Sequence, residues 1–279
     1  MISCNFLMIN NYRVEISFKD FDQLKKRLDF CVNKKIYKIN IPCKGNIKKD
    51  FLQEVVKFVG VKYKNLDVIY HYSFYHQFHN NKNLSYTKFL NFVELNQTFN
   101  KSNQILLVSG SKKRREFEVL NILEKLKSDL SKNIKFGVAF NPYFFEESYF
   151  KIERNRLIDK LNSYFVQSIW LQFGSEINQL YREINFLKEI LGNSKKLIDK
   201  EIDIYGSLFI PSKQFLARFK FRPWRGVYLS DKYLNSLEES GKITKNIIDF
   251  YLANNIIPLV ETELCTEKQF LEANNFINL

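Results

Sequence analysis

The stretch Ile134–Phe173, IKFGVAFNPYFFEESYFKIERNRLIDKLNSYFVQSIWLQF, decides the fold. Ile134–Phe140 is a short β-branched and aromatic run, ended by Asn141-Pro142. A helical stretch from about Ser148 to Ser163 follows, and Ser168–Phe173 reads as the next strand. Strands that alternate with helices at this spacing make βαβ units and a parallel sheet. Working outward, the same rhythm recurs about eight times. It predicts one domain, a single (β/α)8 TIM barrel spanning residues 1–279.

The other strands are predicted at Arg13–Phe18, Lys35–Ile41, Asp67–Tyr72, Gln104–Val108, Asp203–Phe209 and Ile256–Glu261. Helices are expected from about Asp20, from Ile47 to Val59, near Tyr86–Phe99, and over Glu116–Leu130 and Glu176–Leu191. Phe21, Leu24, Leu28 and Val32 give helical spacing in the first. Ser212 is an N-cap for a helix after strand seven, and Thr266 for the last. An insertion rich in cations and aromatics lies near 218–230.

The chain has 279 residues, enough to bury a large core without disulfides or metal. Cys4, Cys31, Cys43 and Cys265 form no CxxC pair and read as reduced thiols. No signal-peptide pattern and no long apolar run is visible, so a soluble, cytoplasmic protein is expected, with no membrane partner. The net charge of +13 is spread along a Lys-, Asn-, Ile- and Phe-rich chain without a long basic block. Nucleic acid is therefore not the expected partner, and an anionic small molecule suits the same charge.

A barrel of this kind places its chemistry at the C-terminal strand ends. Glu15 shares a strand face with Arg13 and Ser17. It is either a working acid or a lining acid paired with a nearby Lys or Arg. His71 ends strand three, with His76 and His79 close behind. The H-x4-H-x2-H spacing fits no common ligand pattern and no acid is adjacent, so no metal is expected. His71 reads instead as a polar ligand contact. Gln172 ends strand six; its amide suits a pterin or flavin edge, or a buried bond to backbone. Glu153, Arg156, Asp159 and Lys160 share a helical face which, by spacing alone, reads as solvated and salt-bridged.

Together these segments resemble the methylenetetrahydrofolate reductase family. The best stretch is Glu153–Phe173: an acid, a Lys about two turns on, then a strand ending Leu171-Gln172-Phe173, where the family has Thr-Gln-Phe. Val138–Pro142 resembles the family's Ala-Ala-Tyr-Pro, His71 its Pro-His-Leu-Thr segment, Ser109-Gly110-Ser111 its Arg-Gly-Asp, and Ile210-Pro211 its Gly-Ile-Leu-Pro. The resemblance implies bound FAD, reduced by NADH or NADPH, passing hydride to methylenetetrahydrofolate to give methyltetrahydrofolate. It implies Glu15 as the acid, Gln172 and Ser111 at the folate, and His71, Asn141, Glu153, Arg156 and Lys160 at the flavin. The departures are Ser111 for the family's Asp, Asn141 for its Tyr, Thr262-Glu263 for its Asn-Arg, and no proline pair after Val14-Glu15-Ile16. They leave a second reading: a reductase-like barrel that binds folate without hydride chemistry. Such a barrel would transfer a one-carbon unit or act as an accessory subunit, as a homo-oligomer or beside a partner chain.

Arg218–Arg225 carries four cations among Phe219, Phe221 and Trp224. It reads as an anion clamp or lid for a polyglutamylated folate, as a single-strand nucleic-acid platform, or as a structured cap with an aromatic core.

Overall fold

A computed structural model describes residues 11–45, 49–110, 118–126, 134–144, 146–193, 197 and 200–277. Eight strands run β1 (Arg13–Glu15), β2 (Lys38–Ile41), β3 (Asp67–Ser73), β4 (Gln104–Val108), β5 (Lys135–Phe140), β6 (Val166–Leu171), β7 (Asp203–Leu208) and β8 (Ile257–Val260). Each pairs in parallel with the next, and β8 returns to β1, so the sheet closes into a (β/α)8 barrel. Around it lie α1 (Phe21–Asn33), α2 (Phe51–Lys62), α3 (Lys82–Phe99), α4 (Val119–Lys125), α5 (Glu147–Leu161), α6 (Ile177–Asn193), α7 (Lys213–Phe221), α8 (Asp231–Asn235), α9 (Leu237–Ala253) and α10 (Glu267–Ile277).

Strand alternation separates two cores. Residues such as Val14, Ile39, Val68, Tyr70, Ile105, Val138 and Ile169 pack in the large layer between sheet and helices. Inside the barrel, Ile69, Leu106, Trp170, Tyr205 and Leu259 form a smaller cluster. Trp170 and Tyr205 lie flat on each other, with ring centroids 3.9 Å apart and planes 8° apart. The indole also donates to Ser168 Oγ at 2.8 Å, and Ser168 accepts from Gln104 Nε2 at 2.5 Å. Gly137 makes room for this arrangement: a Cβ there would collide with the indole nitrogen.

Several boundaries depart from the sequence expectation for local reasons. The expected strand Arg13–Phe18 ends at Glu15; Ile16 N still bonds Asn40 O at 2.8 Å, and the chain then turns to Asp20, which caps α1. Strand β2 starts at Lys38 because Lys35 takes a left-handed φ of 59°. Strand β6 starts earlier than expected, at Val166, where a register shift opposite Phe136 and Gly137 absorbs one residue. Asn81 caps α3 and lengthens it toward its N-terminus. Ser212 and Thr266 accept from Phe215 N and Gln269 N, as N-caps do. Ile47, Ser111 and much of the helix expected over Glu116–Leu130 lie outside the described residues.

The inserted segment is partly helical, since α7 takes its first residues. Trp224 packs edge-on against Phe209, Phe215 and Phe219, and Phe209 stacks on Phe215 at 5.3 Å. Phe221 points away and is 91% exposed. Among the described residues no helix is long and apolar enough to cross a membrane.

Candidate functional site at the barrel mouth

Glu15 follows Val14 on β1, and Glu261 follows Val260 on β8, the strand paired beside it. Both carboxylates reach the same cavity, of about 340 Å³, at the C-terminal end of the barrel. Its floor is apolar, made by Leu106, Trp170 and Leu259; Lys44, His71, Asn141, Glu153, Gln172 and Ser207 add polar groups. The volume lies at the lower end for small-molecule sites, and an apolar floor with a few convergent polar groups is their usual composition.

Lys44 Nζ lies 2.9 Å from Glu15 Oε1, an ion pair at the rim. Glu261 is surrounded by protein and lies near Glu15. Burial first, and the neighbouring charge of Glu15 second, push its carboxyl up to about 8. Both causes favour the protonated form of Glu261. Burial pushes His71 down to about 4, so its imidazole is neutral. Its Nδ1 is 3.9 Å from Glu15 Oε2, too far for a direct hydrogen bond, and its Nε2 is 2.9 Å from the Asn40 amide nitrogen. One mouth thus holds the Lys44–Glu15 ion pair, a carboxyl pushed toward its protonated form and an imidazole pushed toward neutrality. Acid–base chemistry uses such pairs of carboxyl groups with differing proton occupancy.

Glu15, His71 and Gln172 converge on this cavity. The Gln172 side-chain oxygen accepts from Phe173 N at 3.3 Å, while its amide nitrogen has no hydrogen bond among the described residues and remains a donor. Asn141 and Glu153 also line the mouth but are engaged with the fold. Asn141 N donates to Glu153 Oε1 at 3.2 Å, its side-chain oxygen accepts from Tyr143 N, and its amide nitrogen donates to Gly226 O at 3.0 Å. That last bond ties the end of β5 to the inserted segment. Lys160, on α5, is buried and donates to Ala139 O at 2.9 Å. Arg156 pairs with Glu118 at 3.1 Å. Thr262 Oγ1 accepts from Ile210 N at 2.6 Å, and Glu263 pairs with Arg27. His76 and His79 follow β3 and do not line the cavity. Among the described residues no group of three or more His, Cys, Asp and Glu side chains could hold a metal ion.

Glu261 and Lys44 were not among the sequence candidates. The signal for Glu261 was present, since it ends a barrel strand as Glu15 does. Lys44 sits on the loop after β2, and only the folded geometry brings it to Glu15.

A second cavity, of about 730 Å³, opens at the opposite end of the barrel, lined by Arg13, Asp67, Gln104, Lys135, Lys200, Tyr205 and neighbours. It is the larger of the two, but it lies at the N-terminal face, which in barrels of this kind serves stability rather than chemistry.

No protein-family model matches the sequence, and no curated protein matches it. Solved structures do. A thermostable aldo-keto reductase in complex with the inhibitor epalrestat aligns over 98% of this chain and 87% of its own, at 12% identity and a TM-score of 0.50. Active domain 2 of a thermostable chitinase from Pyrococcus furiosus, complexed with chito-oligosaccharides, aligns over 91% of this chain and 83% of its own, at 10% identity and a TM-score of 0.53. The likeness is one of fold. At such identities a shared fold does not carry a shared chemistry.

Proposed function

We propose that the mouth binds the pterin-like heterocycle of a folate one-carbon carrier, and that Glu15 and Glu261 together hold and move one proton beside it. The observation that carries this reading is the meeting of Glu15, Glu261, His71 and Gln172 over the flat apolar floor of a single small cavity. Trp170 offers its ring to a planar ligand, and the Gln172 amide offers a donor at the ligand's edge. Glu261 supplies the protonated partner, and Glu15, balanced by Lys44, receives the proton or returns it.

FAD was the cofactor implied by the family resemblance, and the residues present do not fit it. Lys160 is buried against the Ala139 carbonyl, Arg156 is paired with Glu118, and Asn141 and Glu153 bond one another. Releasing them to hold a ribose and phosphates would break these bonds, at a cost of about 1–3 kcal/mol for each buried group left unmet. This supports the reading of a reductase-like barrel that binds folate without a flavin.

Two tryptophans, Trp170 and Trp224, make a direct test simple. In a Trp224→Phe variant the only indole is the one in the mouth. Tetrahydrofolate and methyltetrahydrofolate are expected to quench its emission saturably, with heat release at the same midpoint in calorimetry. Gln172→Ala should weaken binding about tenfold, the worth of one hydrogen bond. Unchanged emission and no heat would remove the folate reading. A yellow purified protein with stoichiometric flavin absorbance would restore the flavin-dependent reductase.

A further inference from the structure

The inward positions of β1, β2 and β3 carry three polar side chains in a row: Arg13, Asn40 and His71. Arg13 is 2% exposed and Asn40 is fully buried. A guanidinium on a barrel interior is costly unless its donors are met, and here four of the five are. Arg13 Nη1 donates to Asp67 Oδ2 at 2.8 Å, Nη2 donates to Ile39 O and Asp67 O at 2.8 Å each, and Nε donates to Asn40 Oδ1 at 2.6 Å. These contacts hold the guanidinium plane from β2 and from β3 beyond it.

The chain of donors has only one consistent direction. A guanidinium donates and never accepts, so the Asn40 atom facing it is the oxygen. The Asn40 NH2 group therefore faces His71, 2.9 Å from Nε2. An NH2 group offers only hydrogens in that line, so Nε2 must present its lone pair. The proton of the neutral ring is then on Nδ1, the atom nearest Glu15 at 3.9 Å.

We infer that Arg13 and Asn40 are positioning residues that lock His71 in its Nδ1–H tautomer, making it a fixed hydrogen-bond donor into the mouth beside Glu15. The separation between Nδ1 and Glu15 Oε2 is too long for a hydrogen bond and is one that a shared partner atom would span. A carbonyl oxygen or ring nitrogen of a ligand there accepts from His71 while lying next to the carboxylate. A neutral imidazole used as donor polarises such an atom without adding a charge to the site. The site thereby selects ligands with an acceptor at that point. The inference concerns the free protein and holds whichever heterocycle the mouth takes.

The test reads the ring directly. The full chain is labelled with ¹⁵N at histidine, and long-range ¹H–¹⁵N spectra are recorded without ligand at pH 8. The chain has three histidines, and His76→Gln and His79→Gln variants identify the resonances of His71. In the wild type, Nδ1 of His71 is expected at the protonated position and Nε2 at the unprotonated one. In Asn40→Asp the new carboxylate accepts from both neighbours, Arg13 and His71, so Nε2 is expected to move to the protonated position. A wild-type ring protonated on Nε2 would overturn the inference without any variant. So would an Asn40→Asp protein, folded by circular dichroism, in which Nε2 stays unprotonated. A folate titration that fails while these spectra behave as expected would count against the ligand reading alone.

Discussion

Glu15 and Glu261 stand side by side at the ends of paired strands, and burial first, with the charge of Glu15 second, raises the carboxyl of Glu261. Lys44 reaches Glu15 from the rim, so the pair holds a partnered carboxylate beside a carboxyl pushed toward its protonated form. This relationship has consequences that can be measured without knowing the ligand.

Stability should fall as pH rises through the range where Glu261 ionises. Its folded value of about 8 lies above the unfolded glutamate value of about 4.3. Between those values the folded state binds more protons than the unfolded state, so its stabilising contribution is complete below about 4 and is lost as pH climbs toward 8. His71 acts oppositely and lower down. Its folded value of about 4 lies below the ordinary 6.5, so stability is lost as pH falls through that interval. Above pH 6.5 the Glu261 contribution therefore dominates between these two, with a slope of at most about 1.4 kcal/mol per pH unit. Urea melts from pH 6.5 to 8 should show that slope in the wild type and a flatter line in Glu261→Gln. Equal slopes would mean Glu261 is not held protonated.

Removing the neighbouring charge should weaken the hold on the proton. In Glu15→Gln the Glu261 carboxyl should ionise at lower pH than in the wild type, because the Coulombic push from Glu15 is gone. ¹³C-glutamate titration followed by NMR reads this directly, and an unmoved midpoint would leave burial as the whole cause.

Lys160 tests whether α5 grips a cofactor or the barrel. Lys160→Met keeps most of the apolar stem but leaves the Ala139 carbonyl without this donor, at a cost of about 1–3 kcal/mol in urea unfolding. An unchanged melt would return the side chain to a role outside the fold.

Gly137→Ala should overpack the barrel interior. The added methyl meets the Trp170 indole and the Ser168 hydroxyl, so the stacked rings must shift. A loss of about 1–3 kcal/mol is expected. The aromatic circular dichroism band should change with it, since Trp170 and Tyr205 lie in face-to-face contact.

The barrel was legible in the sequence because its strands carry two separable signals, β-branched runs and a helical spacing between them. Gln104–Val108 matches its predicted limits, and Ser212 caps α7 where the sequence placed it. The strand-end rule likewise led to Glu15, His71 and Gln172, which share one cavity. What the sequence could not show was the use of each polar side chain. By spacing, Lys160 and Arg156 formed a solvated face, yet one is buried against a carbonyl and the other reaches Glu118 from another element. Asn141 stood in a cofactor position but ties β5 to Gly226, 85 residues away. Such partners depend on how distant loops meet, which no local pattern encodes. Arg13 is the clearest case. The period of two put it on the Glu15 face of its strand, but only the pairing of β1 with β2, and of β2 with β3, brings Asn40 and Asp67 to it and makes it a buried anchor.

The flat pair of Trp170 and Tyr205 has one more consequence. The indole lines the mouth and the phenol lines the cavity at the far end, so together they form a bulkhead between two chambers. Nothing the size of a substrate can cross it, and the upper chamber is a blind well. Arg13 opens onto the lower chamber and His71 onto the upper, joined through Asn40 alongside that wall. A charge or solute bound beneath could therefore alter how a guest is held above without ever meeting it.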